Sequence, residues 1–119
     1  MAITFKKGWD WGCDSQLRMI IMPHIELGLK TETLLSLLHE LGHIHYGHKN
    51  RQFMFVNANI MVEECEAWTH VIRCTKSKFH YEVMKLALKC LMTYREACIE
   101  NGYIPLTVKE ATDIIFERR

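Results

Sequence analysis

The chain has 119 residues, of which 49% are hydrophobic and 24% are charged, with a formal net charge of +1. This length and composition predict a single globular domain spanning residues 1–119. The near-neutral charge argues against a nucleic-acid partner. No apolar run approaches the roughly 20 residues that span a bilayer, which argues against a membrane partner. Because the first residues lack the apolar stretch of a signal peptide, we expect a cytoplasmic location.

Residue patterns at the N-terminal end predict a short β-sheet. Residues 3–11 contain the aromatic and β-branched residues of a short strand or hairpin arm, and residues 12–15 have the composition of a turn. Residues 17–22 are rich in large apolar side chains and end at Pro23, which indicates a second strand. Residues 24–30 are expected to be extended or loop.

The next part of the chain is predicted to be helical. A first helix starts at about residue 31 and stops at Gly47, since glycine commonly ends a helix. A polar connection and an ambiguous segment at residues 53–59 follow. Apolar residues at helical spacing then predict helices over residues 60–74 and 77–101.

A capping box marks the last helix. Thr107 and Glu110 have the required spacing, and the helix is expected to run through Phe116. Strands followed by helices give an α+β fold class. We expect its core at about residues 17–75 and its C-terminal helices at about residues 77–118.

The first predicted helix carries the sequence His39-Glu40-Leu41-Gly42-His43. Residues at i and i+4 lie on one helix face, so His39 and His43 can bind one divalent metal together. Glu40 points about 100° away from His39. It can therefore reach a water on that metal, as a general base must. A small residue at Gly42 is expected to permit close approach of another backbone.

A third ligand is expected, because a catalytic zinc usually takes three protein ligands. A pattern with the third histidine ten residues after the first is excluded, since position 49 is lysine. His48 remains an alternative as a ligand from the segment after the helix.

The second predicted helix offers three glutamates as ligands: Glu63, Glu64 and Glu66. Projected at about 100° per residue, Glu64 falls inside the apolar stripe, whereas Glu63 and Glu66 fall towards the polar side. A buried carboxylate must be paired, protonated or bound to metal. Glu64 is therefore the favoured third ligand and Glu66 the reserve choice. The alternative without a metal is a buried glutamate that is hydrogen-bonded to another side chain.

These residues together resemble the gluzincins, zinc peptidases with HExxH on one helix and a glutamate ligand on the next. More narrowly, HELGHIHYGH followed by Glu-Cys-Glu-Ala at residues 64–67 is similar to the ImmA/IrrE-like metallopeptidases. The resemblance covers roughly residues 17–72. It implies a minimal zincin-like domain, in which a short N-terminal β-sheet packs on the active-site helix and two or three further helices follow.

The resemblance also implies a role for each site residue. Zn²⁺ would be held by His39, His43 and Glu64, and Glu40 would be the catalytic base. The chain departs from the family pattern at Trp68, where members often have Asn or Asp. A polar group at that position could orient a ligand histidine.

The resulting hypothesis is a zinc-dependent metalloprotease that cleaves peptide bonds of an intracellular protein, with a zinc-activated water and Glu40 as general base. Several relatives in the family act on repressor-type regulators. The strand at residues 17–22 is expected to be a sheet edge that aligns an extended peptide. One alternative is a zinc-stabilised protein-binding module without activity. Another is a DNA-associated protease of the SprT-like kind, which would need His48 as third ligand.

Two further sets of residues are assigned by type alone. Candidates for a donor to the oxyanion, besides zinc, are Tyr46, His45, His48 and His70. The five cysteines contain no C-x-x-C pair, so we expect packing roles for them.

Overall fold

The computed structural model describes residues 3–8, 11–14, 18–23, 31–48, 59–76 and 78–117. Its elements in chain order are β1 (Thr4–Gly8), β2 (Gly12–Asp14), β3 (Met19–Pro23), α1 (Thr31–His45), α2 (Ile60–Thr75), α3 (His80–Glu100) and α4 (Val108–Glu117). The order confirms an α+β fold in which a small sheet precedes the helices, with three helices after α1. The predicted loop at 24–30 and the ambiguous segment at 53–58 lie outside the described residues.

The sheet has the strand order β1-β3-β2. Ile20 of β3 pairs with Phe5 in a parallel ladder and with Cys13 in an antiparallel ladder. Two predictions are therefore wrong. Gly12–Asp14 form a strand rather than a turn, because their backbone pairs with β3. The strand predicted at 17–22 is β3, which is central rather than an edge, and this suits its continuous apolar run and the complete burial of Ile20.

Helix α2 lies at the centre of the helical part, against α1, α3 and α4. Its side chains Cys65, Val71 and Ile72 are almost completely buried, and Leu35 of α1 packs in the same hydrophobic core. Because α2 faces three helices, every polar residue on its inner surface must find a partner inside the protein. Glu64 is one such residue.

Helix α1 ends as the sequence predicted. Gly47 has φ +67°, a left-handed conformation that glycine adopts without a steric penalty. Its N–H donates to the Ile44 carbonyl at 3.0 Å, and the N–H of His48 donates to the His43 carbonyl at 3.0 Å. These two bonds form a Schellman motif, which turns the chain back over the last turn of α1. His48 is thereby held beside His43.

The predicted capping box of α4 is confirmed. The Thr107 N–H donates to Glu110 Oε1, and the Glu110 N–H donates to Thr107 Oγ1, each at 3.1 Å. Helix α3 begins at His80 rather than residue 77, since residues 78 and 79 form a turn. In the described part of the chain, no helix has the length and apolar character needed to cross a membrane.

Candidate metal centre

Helix α1 carries three buried polar side chains within two turns. His39 and Glu40 are each 6% exposed, and His43 is 7% exposed. Their burial follows from the sequence, because the apolar residues of α1 occupy the same face and pack into the protein. The two histidine rings lie 4.7 Å apart between centroids, with their planes nearly perpendicular. The helical spacing therefore brings both imidazoles to one buried position.

Gly42 allows α2 to approach this face of α1. A Cβ atom at residue 42 would lie 2.8 Å from the carbonyl oxygen of Ala67 and 2.9 Å from its Cα. No side chain fits in that space, so the predicted close approach at Gly42 is confirmed. Glu64 lies three residues before Ala67, about one helical turn away. The contact therefore sets how near the Glu64 carboxylate comes to the histidines.

The two histidines and Glu64 meet at their polar atoms. Glu64 is 2% exposed. Its Oε1 lies 3.2 Å from His39 Nε2, and its Oε2 lies 2.7 Å from His43 Nε2. The two Nε2 atoms are 3.2 Å apart. His39, His43 and Glu64 thus form a buried group that could hold a metal ion.

The donor types and two of the three separations, each 3.2 Å, suit a metal, whereas the 2.7 Å between His43 and Glu64 is a hydrogen-bond distance. A metal bonded at about 2.0–2.1 Å to tetrahedrally arranged atoms brings those atoms to roughly 3.3–3.4 Å from one another. Each imidazole can exchange its Nε2 proton for a bond to a cation, so one metal could bind both nitrogens and the carboxylate. Among the described residues, the outer nitrogen of His39, Nδ1, is buried without a hydrogen-bond partner.

The electrostatics keep Glu64 in its charged form. Burial alone would raise its pKa, but hydrogen bonds from His39 and His43 outweigh burial and hold the pKa well below its ordinary value. An ionised carboxylate is the form that binds metal. The structure therefore offers Glu64 as a ligand that is already deprotonated.

Cys90 of α3 contacts the same carboxylate. Its Sγ donates to Glu64 Oε1 at 3.4 Å. Burial, followed by the charge of Glu64, raises the pKa of Cys90, and the charge of Glu40 adds to the effect. Cys90 therefore remains a thiol that can donate. The packing role predicted for the cysteines missed this contact, because a lone cysteine on a helix carries no signal of its distant partner.

The other described cysteines divide between packing and exposure. Cys65 and Cys98 are buried in the hydrophobic core, as predicted, and burial together with nearby carboxylates raises the pKa of Cys65 to about 12. Cys74 is exposed and lies 3.3 Å from His70 Nε2. The packing prediction is wrong for Cys74, which is exposed in the last turn of α2.

The two remaining candidates for third ligand lie together on the other side of His43. His48 Nδ1 is 2.9 Å from His43 Nδ1, and His48 Nε2 is 3.2 Å from Glu66 Oε1. Burial and the nearby His43 lower the pKa of His48, and the hydrogen bond to Glu66 only partly opposes them. Among the described residues, the structure groups Glu64, rather than His48 or Glu66, with the two histidines.

The residues proposed as oxyanion donors are engaged with one another near the end of α1. Arg73 Nη1 donates to the Tyr46 hydroxyl at 3.0 Å. His45 stacks on His70 with 4.9 Å between ring centroids. Burial, together with His45 and Arg73, lowers the pKa of His70. These contacts favour packing roles for Tyr46, His45 and His70.

Trp68 of α2 places an aromatic ring against one of the two histidines. Its ring lies 4.2 Å from that of His39 between centroids, and it is 3% exposed. The ring of His39 is thus oriented by packing.

Comparisons of the chain with protein-family models, curated proteins and solved structures gave no significant match. The case for a metal centre therefore depends on the geometry of His39, His43 and Glu64. The resemblance to gluzincins and to ImmA/IrrE-like metallopeptidases stays a prediction from the sequence.

Proposed function

We propose that the protein is a zinc-dependent peptidase in which His39, His43 and Glu64 hold the metal. The observation that carries the proposal is the convergence of two imidazole nitrogens and one carboxylate at a buried position. Two histidines and a glutamate are the ligands of catalytic zinc in one large group of peptidases, where a fourth position stays open. Zinc is the metal proposed because this nitrogen and oxygen donor set suits it.

A bound zinc would supply a Lewis acid that polarises a peptide carbonyl and makes a water easier to deprotonate. The chain itself supplies the proton transfers. Glu40 follows His39, one of the proposed ligands, on α1 and is itself buried. Its carboxylate would accept a proton from the attacking water and donate it to the leaving amine. Glu64 and the two histidines would hold the metal and take no part in these proton transfers.

An extended peptide is the substrate proposed, since sheet edges can bind one by adding a strand. With β3 in the centre, the edge that would align it is β2, which lies against α1. Among the described strands, β2 pairs with β3 alone. The resemblance to ImmA/IrrE-like metallopeptidases adds repressor-type regulators as one class of protein substrate to test.

The second candidate function is a zinc-stabilised protein-binding module without turnover, because a small domain gains stability from a bound metal. Metal binding is common to both functions, so turnover distinguishes them. A SprT-like protease is less favoured, because His48 contacts the outer nitrogen of His43 and not the carboxylate of Glu64.

The test compares the wild type with Glu40→Gln, and with Glu32→Gln as a matched control exposed in the first turn of α1. Zinc content is measured first, and cleavage of a peptide library is then followed by mass spectrometry. We expect all three proteins to hold zinc and only Glu40→Gln to lose cleavage. Cleavage by Glu40→Gln at the wild-type rate would exclude Glu40 as the base. Zinc without any cleavage by the wild type would favour the binding module.

A further inference from the structure

His43 is held through both of its ring nitrogens. Its Nε2 faces Glu64 Oε2 at 2.7 Å, and its Nδ1 lies 2.9 Å from His48 Nδ1. His48 in turn has its Nε2 at 3.2 Å from Glu66 Oε1. The His48 side chain is only 9% exposed, whereas that of Glu66 is 37% exposed. A continuous chain of polar contacts therefore leads from the partly exposed Glu66 to His43.

We propose that His48 and Glu66 are positioning residues that hold His43 in the tautomer and orientation required of a metal ligand. The inference rests on the metal site proposed above and concerns how this chain prepares one ligand of that site.

The positions of the protons follow from the types of atoms in contact. An ionised Glu66 can only accept, so the ring proton of a neutral His48 belongs on Nε2. His48 Nδ1 then carries a lone pair and must accept. The proton in the contact between the two Nδ1 atoms therefore belongs to His43. With a metal in place of the proton between Nε2 and Glu64, His43 would keep its proton on Nδ1 and bind the metal through Nε2.

Two features of the fold bring the three side chains together. The Schellman motif at Gly47 places the His48 N–H on the His43 carbonyl, so the two residues contact through backbone and side chain. The ring of His48 also stacks on Tyr46, at 5.7 Å between centroids and 13° between planes. Helix α2 supplies Glu66 two residues after Glu64. One helix thus holds His43 at both nitrogens, directly by Glu64 and through His48 by Glu66.

The other ligand histidine is held differently. Its ring packs on Trp68, and among the described residues its Nδ1 has no hydrogen-bond partner. Loss of the contacts made by His48 should therefore alter His43 and leave His39 unchanged. This difference separates a positioning role from a general loss of structure.

The experiment measures Zn²⁺ affinity by competition with a chromophoric chelator, together with the thermal stability of each metal-free protein. His48→Ala removes the acceptor, and we expect a 10–100-fold loss of affinity, the usual effect of removing such a partner. In His48→Asn, the amide oxygen can take the place of Nδ1, so most of the affinity should return. Glu66→Ala should weaken affinity less than His48→Ala, because His48 itself remains.

Two control variants match these changes. His45→Ala removes an exposed histidine from the same helix end, and Glu63→Ala removes a neighbouring carboxylate of α2. Both should keep wild-type zinc affinity. A second readout is the exchange with solvent of the His43 Nδ1 proton in the zinc-loaded protein, from ¹H–¹⁵N spectra of the imidazoles. We expect this proton to be protected from exchange in the wild type and in His48→Asn, and to exchange rapidly in His48→Ala, where Nδ1 has lost its acceptor.

The outcomes separate this inference from the metal site itself. If His48→Ala has wild-type zinc affinity and an equally protected His43 Nδ1 proton, while Glu64→Ala loses zinc, the positioning role is wrong and the site stands. Equal losses in His48→Ala and His45→Ala, without rescue by His48→Asn, would also overturn the positioning role. If the wild type takes up neither Zn²⁺ nor Co²⁺, both the site and the inference are wrong.

Discussion

Gly42 and Ala67 bring α1 and α2 together backbone to backbone, and the space between them is too small for a methyl group. The atoms that a Cβ at residue 42 would meet are the carbonyl oxygen and Cα of Ala67, neither of which can rotate away. A side chain there would have to separate the helices. Because Glu64 lies one turn from Ala67, the same displacement would move a metal ligand.

Gly42→Ala should therefore destabilise the protein, although alanine favours a helix interior by about 1 kcal/mol over glycine. Overpacking typically costs about 1–3 kcal/mol, and we expect a net loss of unfolding free energy together with weaker zinc binding. Urea unfolding of the metal-free protein and a zinc titration measure the two effects. Gly102→Ala is the control, because Gly102 has φ +79° but open space around it. It should cost about 1–2 kcal/mol and leave zinc affinity intact. A Gly42→Ala protein more stable than wild type would contradict the close contact.

Metal content gives the most direct test of the ligand set. We expect one zinc per chain in the wild type and a loss of zinc in Glu64→Ala, because two histidines alone form an incomplete site. Glu63→Ala is the matched control and should retain zinc, and His48→Ala should retain it at saturating concentration. Elemental analysis after dialysis against excess zinc and removal of the free metal provides the measurement. Zinc lost only in His48→Ala would instead indicate a third histidine ligand.

The sequence predicted those features of the site that depend on local periodicity. His39 and His43 share a face because of helical spacing, and the position of Glu64 in an apolar stripe indicated its burial. Gly42 indicated a close approach, although not which residue approaches. The capping box of α4 was predictable for the same reason, since its two bonds join residues that are three apart in the sequence.

Features that depend on pairing between distant segments were not predictable in the same way. The central place of β3 depends on strands β1 and β2, and neither ladder leaves a signal within one strand. The contact of Cys90 with Glu64 joins α3 to α2. The sequence offers His48 and Glu66 each as a metal ligand, but their contact with each other depends on how α1 packs against α2.

Substitutions in the capping box of α4 should change the stability of the protein without changing the metal site. Thr107→Ala removes an acceptor for the Glu110 N–H, and a loss of about 0.5–2 kcal/mol in unfolding free energy is expected. Glu110→Ala should have a smaller effect, and the double variant should cost less than the sum of the two, because each bond closes the same turn. Chemical denaturation of the three variants tests this. Zinc affinity should stay at the wild-type value in all of them, and a change would show that α4 supports the metal centre.

The lowered pKa of Glu64 predicts how stability depends on pH in the metal-free protein. The ordinary pKa is 4.5, and hydrogen bonds from His39 and His43 place the folded value well below it. The folded state therefore gains stability from the carboxylate that is fully present above about pH 4.5 and is lost as pH falls towards the folded pKa. Glu64→Gln lacks this titration. With chelator present, the difference in unfolding free energy between wild type and Glu64→Gln should decrease from pH 5.5 to pH 3, by at most about 1.4 kcal/mol per pH unit. A difference that stays constant over this range would show that the histidines do not stabilise the ionised form.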